Sequence, residues 1–155
     1  MTIRRNAILF LSSACGLGYM PFAPGTIGSL VGLPLCWMLA QLPLVGALVI
    51  LAALVGSSVW IAGQAEQLLQ QKDPGVIVID EVCGLAVALM GLPFTVANGV
   101  LGFVLFRILD IAKPVPIRTL ERRIAGGAGI VVDDVVAGIM VNIVLRILSY
   151  LINII

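Results

Sequence analysis

Three short groups of acidic residues carry the chemistry available to this chain: Asp80-Glu81, Asp110 and Asp133-Asp134. Each group lies at the end of an apolar run long enough to enter a bilayer. A carboxylate placed there is costly unless it is paired, hydrated or bound to a cation. Mg²⁺ is a hard cation that prefers oxygen ligands. The sequence therefore predicts that these carboxylates share one site at the membrane surface and hold a divalent ion such as Mg²⁺.

Ordinary structural roles are the alternative for each group. Arg107, Asp110 and Lys113 follow one another at intervals of three, so an ion pair within one helix would explain Asp110. Acids in the first turn of a helix are favoured by the helix dipole. Adjacent residues point about 100° apart on a helix, so at most one member of each acidic pair is expected to face the site squarely. Two such pairs together with Asp110 favour a metal centre.

Two glycines lie on the same helix faces as the acids, because Gly84 and Gly138 come four residues after Asp80 and Asp134. A glycine at these positions allows either a close contact between two helices or the approach of a lipid head group.

The chain has no histidine, which excludes histidine phosphatases, His-type zinc sites and Ser-His-Asp hydrolases. Its three cysteines form no Cys-x-x-Cys pair and are interpreted as small buried hydrophobic residues. Any phosphoryl chemistry must therefore use carboxylates, Mg²⁺ and Lys or Arg. Such a set is sufficient, because phosphoryl transfer depends mainly on positioning and on neutralising the charge of the phosphate oxygens.

The composition is that of an integral membrane protein. Mean hydropathy is +1.17 and only 11% of residues are charged, whereas soluble domains average about 25%. A net charge of +1 gives no reason to expect nucleic acid as a partner. The length fits one membrane-embedded domain over residues 1–155.

Turn signals divide the chain into an all-α, polytopic membrane bundle with short or broken helices. We expect a short interfacial helix over residues 3–19, an irregular segment over 21–29 in which Ser29 caps the next helix, and a polar connector over 114–130. Longer apolar helices are expected over 30–42, 44–71, 80–92, 94–112 and from about 131 to the C-terminus. Residues 30–42 and 80–92 are short for a span of about 20 residues and could instead re-enter the membrane.

If these helices alternate in direction, every charged residue except Arg146 lies on one side of the membrane. The excess of Lys and Arg there identifies that side as cytoplasmic. Arg146 is expected to snorkel toward the far interface, with a buried partner or a subunit contact as the alternatives.

Four stretches, in this order and spacing, resemble the phosphatidylglycerophosphatase A family: PFAPGTIGSL (21–30), DEVCG (80–84), FRILDIAKPVPI (106–117) and GGAGIVVDDVVAG (126–138). The resemblance covers about residues 16–140. It implies an all-helical, Mg²⁺-dependent phosphomonoesterase of the bacterial inner membrane, with its active site facing the cytoplasm. The substrate would be phosphatidylglycerophosphate, and the products phosphatidylglycerol and phosphate.

The resemblance also suggests roles for individual residues. Asp80, Glu81, Asp110, Asp133 and Asp134 would supply the metal ligands and the base that orients water. Arg107, Lys113 and Arg118 would neutralise the phosphate, although Arg118 could equally be a solvated charge of the connector. The loop Ala23–Ser29 would surround an anion with the backbone N–H groups around Gly25 and the hydroxyls of Thr26 and Ser29.

Two rival functions are less well supported. A CDP-alcohol phosphotransferase also uses carboxylates and Mg²⁺, but its Asp-Gly-x-x-Ala-Arg signature is absent. A small cation transporter would place acids along a path through the membrane, whereas these acids gather at one face.

Overall fold

A computed structural model describes residues 2–152, without the side chains of residues 121, 122 and 152. Within this range the chain forms α-helices, one short 3₁₀ turn and no strand, so the predicted all-α class is confirmed. The helices are α1 (Thr2–Ser12), α2 (Pro24–Ala40), α3 (Leu44–Leu69), α4 (Ile79–Leu89), α5 (Val96–Ala112), α6 (Ile117–Arg123) and α7 (Gly126–Ile152), with the 3₁₀ turn at Leu17–Tyr19.

The short helix α4 lies at the centre of the molecule. It packs against α2, α3, α5 and α7, and its side chains Cys83, Leu85 and Ala88 are almost completely buried. Its 11 residues span only about 16 Å, roughly half of a hydrocarbon core. Helix α4 therefore begins at one end of the bundle and stops inside it.

The longer helices surround α4 and present apolar side chains outward. By length and composition, α3 and α7 could each cross a bilayer, and α2 is a shorter apolar helix. Val49 and Trp60 on α3, and Trp37 on α2, are more than half exposed. An outer surface of this kind suits a hydrocarbon environment better than water.

Glycines allow α4 and α7 to touch at the level of their backbones. A Cβ atom on Gly138 would collide with the carbonyl oxygen of Gly84. One on Gly84 would lie 2.5 Å from the ring of Phe106 and 2.9 Å from the carbonyl oxygen of Asp134. The first of the two expectations for these glycines, a close helix contact, is therefore confirmed. The contact brings the acidic start of α4 beside Asp134.

Side chains of α7 bind the inner end of α4, whose last carbonyls lack partners within the helix. Asn142 Nδ2 donates to the carbonyl oxygens of Ala88 and Met90, each at 2.9 Å. Arg146 Nη2 donates to those of Met90 at 3.1 Å and Gly91 at 3.3 Å. Arg146 thus has protein partners at the end of α4, which the preferred interpretation, snorkelling, did not anticipate.

Two helices begin earlier than predicted, inside the segment expected to be irregular and inside the polar connector. Helix α2 begins at Pro24, not near residue 30, because proline fits the first turn, where its missing N–H costs nothing. Helix α7 begins at Gly126, not near residue 131. Gly127 there packs directly against the backbone of Val59 and Gly63 on α3, so tertiary contact overrides the low helix propensity of glycine.

The other boundaries differ less. The connector over residues 114–130 contains α6, and the N-terminal helix ends at Ser12 instead of residue 19. The predicted continuation of α7 over residues 153–155 lies outside the described part of the chain.

Candidate active site

The acidic start of α4 meets one acid of α7 to form a carboxylate cluster. Asp80, Glu81 and Asp134 each offer one oxygen, and these oxygens all lie within 4.8 Å of one another. Asp80 is 8% exposed and Asp134 is 3% exposed. Asp80 and Asp134 lie 54 positions apart in the sequence, and the contact between Gly84 and Gly138 brings their helices together.

The donor set fits a divalent cation. Asp80 Oδ1, Glu81 Oε2 and Asp134 Oδ2 are buried without a hydrogen-bond partner among the described residues. Leaving such oxygens unsatisfied is costly, and like charges at this separation repel one another. A divalent cation such as Mg²⁺, if held by these oxygens, would relieve both costs.

Both Asp80 and Glu81 belong to the cluster, so the expectation that only one of them faces the site is wrong. Glutamate has one more methylene group than aspartate, which lets Glu81 reach back toward its neighbour. The expectation does hold for the second pair, since Asp134 faces the cluster and Asp133 points elsewhere.

Asp110 joins the cluster from α5. Its carboxyl group is a close negative neighbour of Glu81 and Asp134. It also accepts a hydrogen bond from Arg107 Nη1 at 2.7 Å. The ion pair expected as the ordinary alternative is thus present, yet it lies at the edge of the acidic cluster. Arg107 and Asp110 are only about 15% exposed, which strengthens their interaction.

Asp133 and Lys113 form a separate ion pair. Lys113 follows the last residue of α5 in the left-handed conformation, with φ of 41°. Its Nζ atom donates to Asp133 Oδ2 at 2.7 Å. Lys113 therefore leaves the helix face that it was expected to share with Arg107 and Asp110.

Sequence reasoning missed Asp73, which was interpreted only as part of a turn. It is a negative neighbour of Asp133, and its backbone N–H donates to Glu66 Oε1 at 3.2 Å. Its φ of 47° fits a turn before Pro74-Gly75, so no local pattern distinguished it from any other turn residue.

The N-terminus of α2 lies against the cluster. A Cβ atom on Gly25 would collide with Glu81 Oε1 and would lie 3.1 Å from Arg107 Nη1. The backbone N–H groups of Gly25 and Thr26 belong to the first turn, where a helix has no internal acceptors for them. Together with the guanidinium of Arg107, this helix end offers an anion-binding surface beside the carboxylates.

The structure places Thr26 and Ser29 in the helix, not in a loop. Thr26 is half-buried in the first turn of α2. Ser29 does not cap the helix: its Oγ donates to the carbonyl oxygen of Gly25 at 2.9 Å and accepts a long hydrogen bond from Arg107 Nη1 at 3.5 Å. Ser29 therefore helps to position the guanidinium of Arg107.

Arg118 is not gathered into this group. It is exposed on α6, and no described side chain forms a hydrogen bond or ion pair with it.

A turn over residues 74–77, leading into α4, fixes where the acids begin. The N–H of Val78 donates to the carbonyl oxygen of Ser12 at 2.9 Å. Gly18 and Gly28 have no side chains, which lets their elements contact the residues around Val76 and Val78 directly. The start of α4 is thus held by α1, by the 3₁₀ turn and by α2.

Comparison with known families identifies the family of the chain. The model of the family described as Phosphatidylglycerophosphatase A matches residues 10–149, which include every residue of the candidate site. The chain belongs to the phosphatidylglycerophosphatase A family. The resemblance noted in the sequence is therefore confirmed.

Members of the phosphatidylglycerophosphatase A family are among its curated relatives. A protein of that name from Escherichia coli is 41% identical over 84% of this chain and 76% of its own length. Another of the same name, from Haemophilus influenzae, is 35% identical over 94% of the chain and 90% of its own length. A putative phosphatidylinositol-3-phosphatase from Bacteroides thetaiotaomicron is 33% identical over 94% of this chain and 95% of its own length. No solved structure gives a significant match.

Proposed function

We propose that this protein is a Mg²⁺-dependent phosphatase that hydrolyses phosphatidylglycerophosphate to phosphatidylglycerol and phosphate. The observation that carries the proposal is the buried cluster of Asp80, Glu81 and Asp134 beside Arg107 and the N-terminus of α2. Two relatives named phosphatidylglycerophosphatase A support the choice of substrate.

In this proposal Asp80, Glu81 and Asp134 hold the metal, with Asp110 as the neighbouring carboxylate. When bound, Mg²⁺ would supply Lewis-acid stabilisation of charge on the phosphoryl oxygens. Asp133, predicted from the sequence as a further ligand, instead acts through its ion pair with Lys113.

The phosphate is bound by cationic and N–H donors. Arg107 is held by Asp110 and Ser29, so its guanidinium is ordered before substrate arrives. The first-turn N–H groups at Gly25 and Thr26 add neutral donors, and Lys113 adds a second cation. Such fixed donors stabilise charge developing on the equatorial oxygens without reorganising. Arg118 contributes long-range attraction from the protein surface.

The reaction consumes one water molecule. Its oxygen bonds to phosphorus as the bond between phosphorus and the glycerol oxygen breaks, and the departing glycerol oxygen takes up the proton that the attacking water releases. A carboxylate of the cluster, as general base, accepts the proton from the attacking water.

The protein would act as a multi-pass protein of the bacterial inner membrane with this site at the cytoplasmic surface. Support comes from the apolar exteriors of α2, α3 and α7 and from the gathering of acids and bases at one end of the bundle. A diacyl tail can then remain in the bilayer while the anionic head group reaches the donors.

A substrate panel in detergent tests the proposal. We expect phosphate release from phosphatidylglycerophosphate in Mg²⁺ and its loss in chelator, with restoration when Mg²⁺ is returned. Phosphatidic acid and glycerol 3-phosphate test the need for the head group and for the acyl chains. Phosphatidylinositol 3-phosphate tests the activity named for the Bacteroides relative. Preferred turnover of that lipid, or equal turnover in chelator, would overturn the proposal.

A further inference from the structure

A groove lies at the opposite end of the bundle from the acids. Because α4 stops short, α3 and α7 leave a cavity of about 360 Å³. Its walls are apolar, with Leu44 and Leu48 from α3 and Ile139 and Ile143 from α7, and its polar groups belong to Asn142 and Arg146.

Among the residues that the structure describes, none carries a negative charge paired with Arg146. Its described hydrogen bonds go only to neutral groups: the carbonyls of Met90 and Gly91, and Asn142 Oδ1 at 2.8 Å. No described carboxylate forms an ion pair with it, and Asp134 lies about 18 Å away along α7. A cation that is held only by neutral groups near the end of a membrane bundle keeps its charge available for an anion at the interface, such as a lipid phosphate.

The guanidinium is also oriented to receive that anion. Bonds through Nε and Nη2 fix its plane, while Nη1 has no described hydrogen-bond partner and the side chain is exposed. An ordered guanidinium with a free donor is well suited to a phosphate oxygen.

We propose that this groove binds an anionic phospholipid of the leaflet opposite the active site, with its phosphate on Arg146 and an acyl chain against Leu48 and Ile143. The combination of one fixed cation and an apolar channel matches the two parts of such a lipid. The proposal rests on the membrane placement of the proposed function, but not on its chemistry. The bound lipid would complete the half of the bundle that α4 leaves unfilled.

Lipid binding is measured by native mass spectrometry of the full chain, with phosphatidylserine and phosphatidylcholine as probes. Neither is a phosphomonoester, so the measurement is independent of turnover. We expect phosphatidylserine to be retained more strongly, and Arg146→Gln to weaken its binding about tenfold or more. Arg123→Gln removes the same charge from an exposed position on α6 and should change nothing.

Groove-filling variants keep the test valid if Arg146→Gln fails to fold. Ile143→Trp occupies the groove and leaves the guanidinium in place, whereas Val45→Trp adds the same bulk on an exposed part of α3 outside the groove. We expect loss of phosphatidylserine binding only in Ile143→Trp. Equal binding by both variants, equal retention of both lipids, or a dimer that Ile143→Trp dissociates would overturn the proposal.

Discussion

Asp134 is the only described residue of α7 in the carboxylate cluster, and it is almost completely buried. Replacing it with asparagine keeps the volume but removes one negative charge and one metal ligand. We expect Asp134→Asn to lower kcat at least about a hundredfold, since metal-assisted charge stabilisation contributes several kcal/mol.

A second readout separates metal loss from other damage. Mn²⁺ binding, followed by electron paramagnetic resonance, should weaken in parallel with kcat. Glu66→Gln is the matched control, because Glu66 lies outside the cluster and its Oε1 accepts a backbone hydrogen bond that a glutamine oxygen can keep. Normal Mn²⁺ affinity in Asp134→Asn would contradict the metal site.

The pair Lys113–Asp133 makes a different prediction. Lys113→Ala should lower kcat/KM by roughly one to three decades, if its charge-assisted contact with phosphate is worth about 1.5–4 kcal/mol. If Asp133 acts by holding Lys113, adding Asp133→Asn to Lys113→Ala should cause little further loss. A double-mutant cycle measures this. Additive losses would instead assign Asp133 an independent role, such as the metal ligand that the sequence predicted.

At the scale of elements, the first turn of α2 has no space for a side chain at Gly25. A methyl group there would press on Glu81 and Arg107. Because the obstruction lies in the site and not in the core, we expect Gly25→Ala to lower kcat/KM about tenfold or more with little change in Tm. Kinetics and thermal unfolding of the same sample test this. An unchanged kcat/KM would remove α2 from the phosphate site.

The crossing of α4 and α7 depends on its two glycines. Gly84→Ala should destabilise the protein by about 1–3 kcal/mol, since the added methyl group meets Phe106 and backbone atoms that cannot yield. Gly56→Ala on α3 is the control: its Cβ would meet nothing within 4 Å, and alanine should stabilise the helix by about 0.5–1 kcal/mol. Equal Tm values for the two variants would contradict this account.

The acidic residues and the all-helical class could be predicted because they depend on residue type and local pattern. Charges next to apolar runs are costly, and this predicted a site at four acids that the structure places close together: Asp80, Glu81, Asp110 and Asp134. The helical starts at Pro24 and Gly126 could not be predicted in the same way. They depend on what packs against the glycines, and local sequence contains no information about that partner.

The partners of the charged residues could not be predicted from the sequence either. Lys113 lies three residues after Asp110, and spacing alone paired it with that helix face. Its left-handed backbone turns it toward Asp133 instead, twenty residues away. Arg146 bonds to carbonyls more than fifty residues distant, exposed because α4 ends early. These carbonyl groups need a hydrogen-bond donor because α4 ends inside the bundle, and the sequence alone does not show where α4 ends.

The whole molecule is chemically polarised along the direction of its long helices. Carboxylates, Lys113 and the N-terminus of α2 occupy one end, whereas the other contains Arg146 and an apolar groove. The two long helices α3 and α7 connect these ends, and α3 has no charged residue between Leu44 and Ala65. This arrangement suits a protein that binds a charged head group at one face and lipid chains elsewhere.

Trp37 and Trp60 face outward, with 54% and 55% of their surface exposed. They are fluorescent probes at two different depths of the bundle. From the acidic end of their helices Trp37 is about 20 Å away and Trp60 about 14 Å, at 1.5 Å per residue. In vesicles with brominated acyl chains, we expect bromines near the chain ends to quench Trp60 more than Trp37. The variants Trp37→Phe and Trp60→Phe each leave one tryptophan, so that its signal is measured alone. If brominated lipid quenches neither tryptophan, a bilayer location is contradicted. Depth in the membrane can thus be measured optically without adding a label.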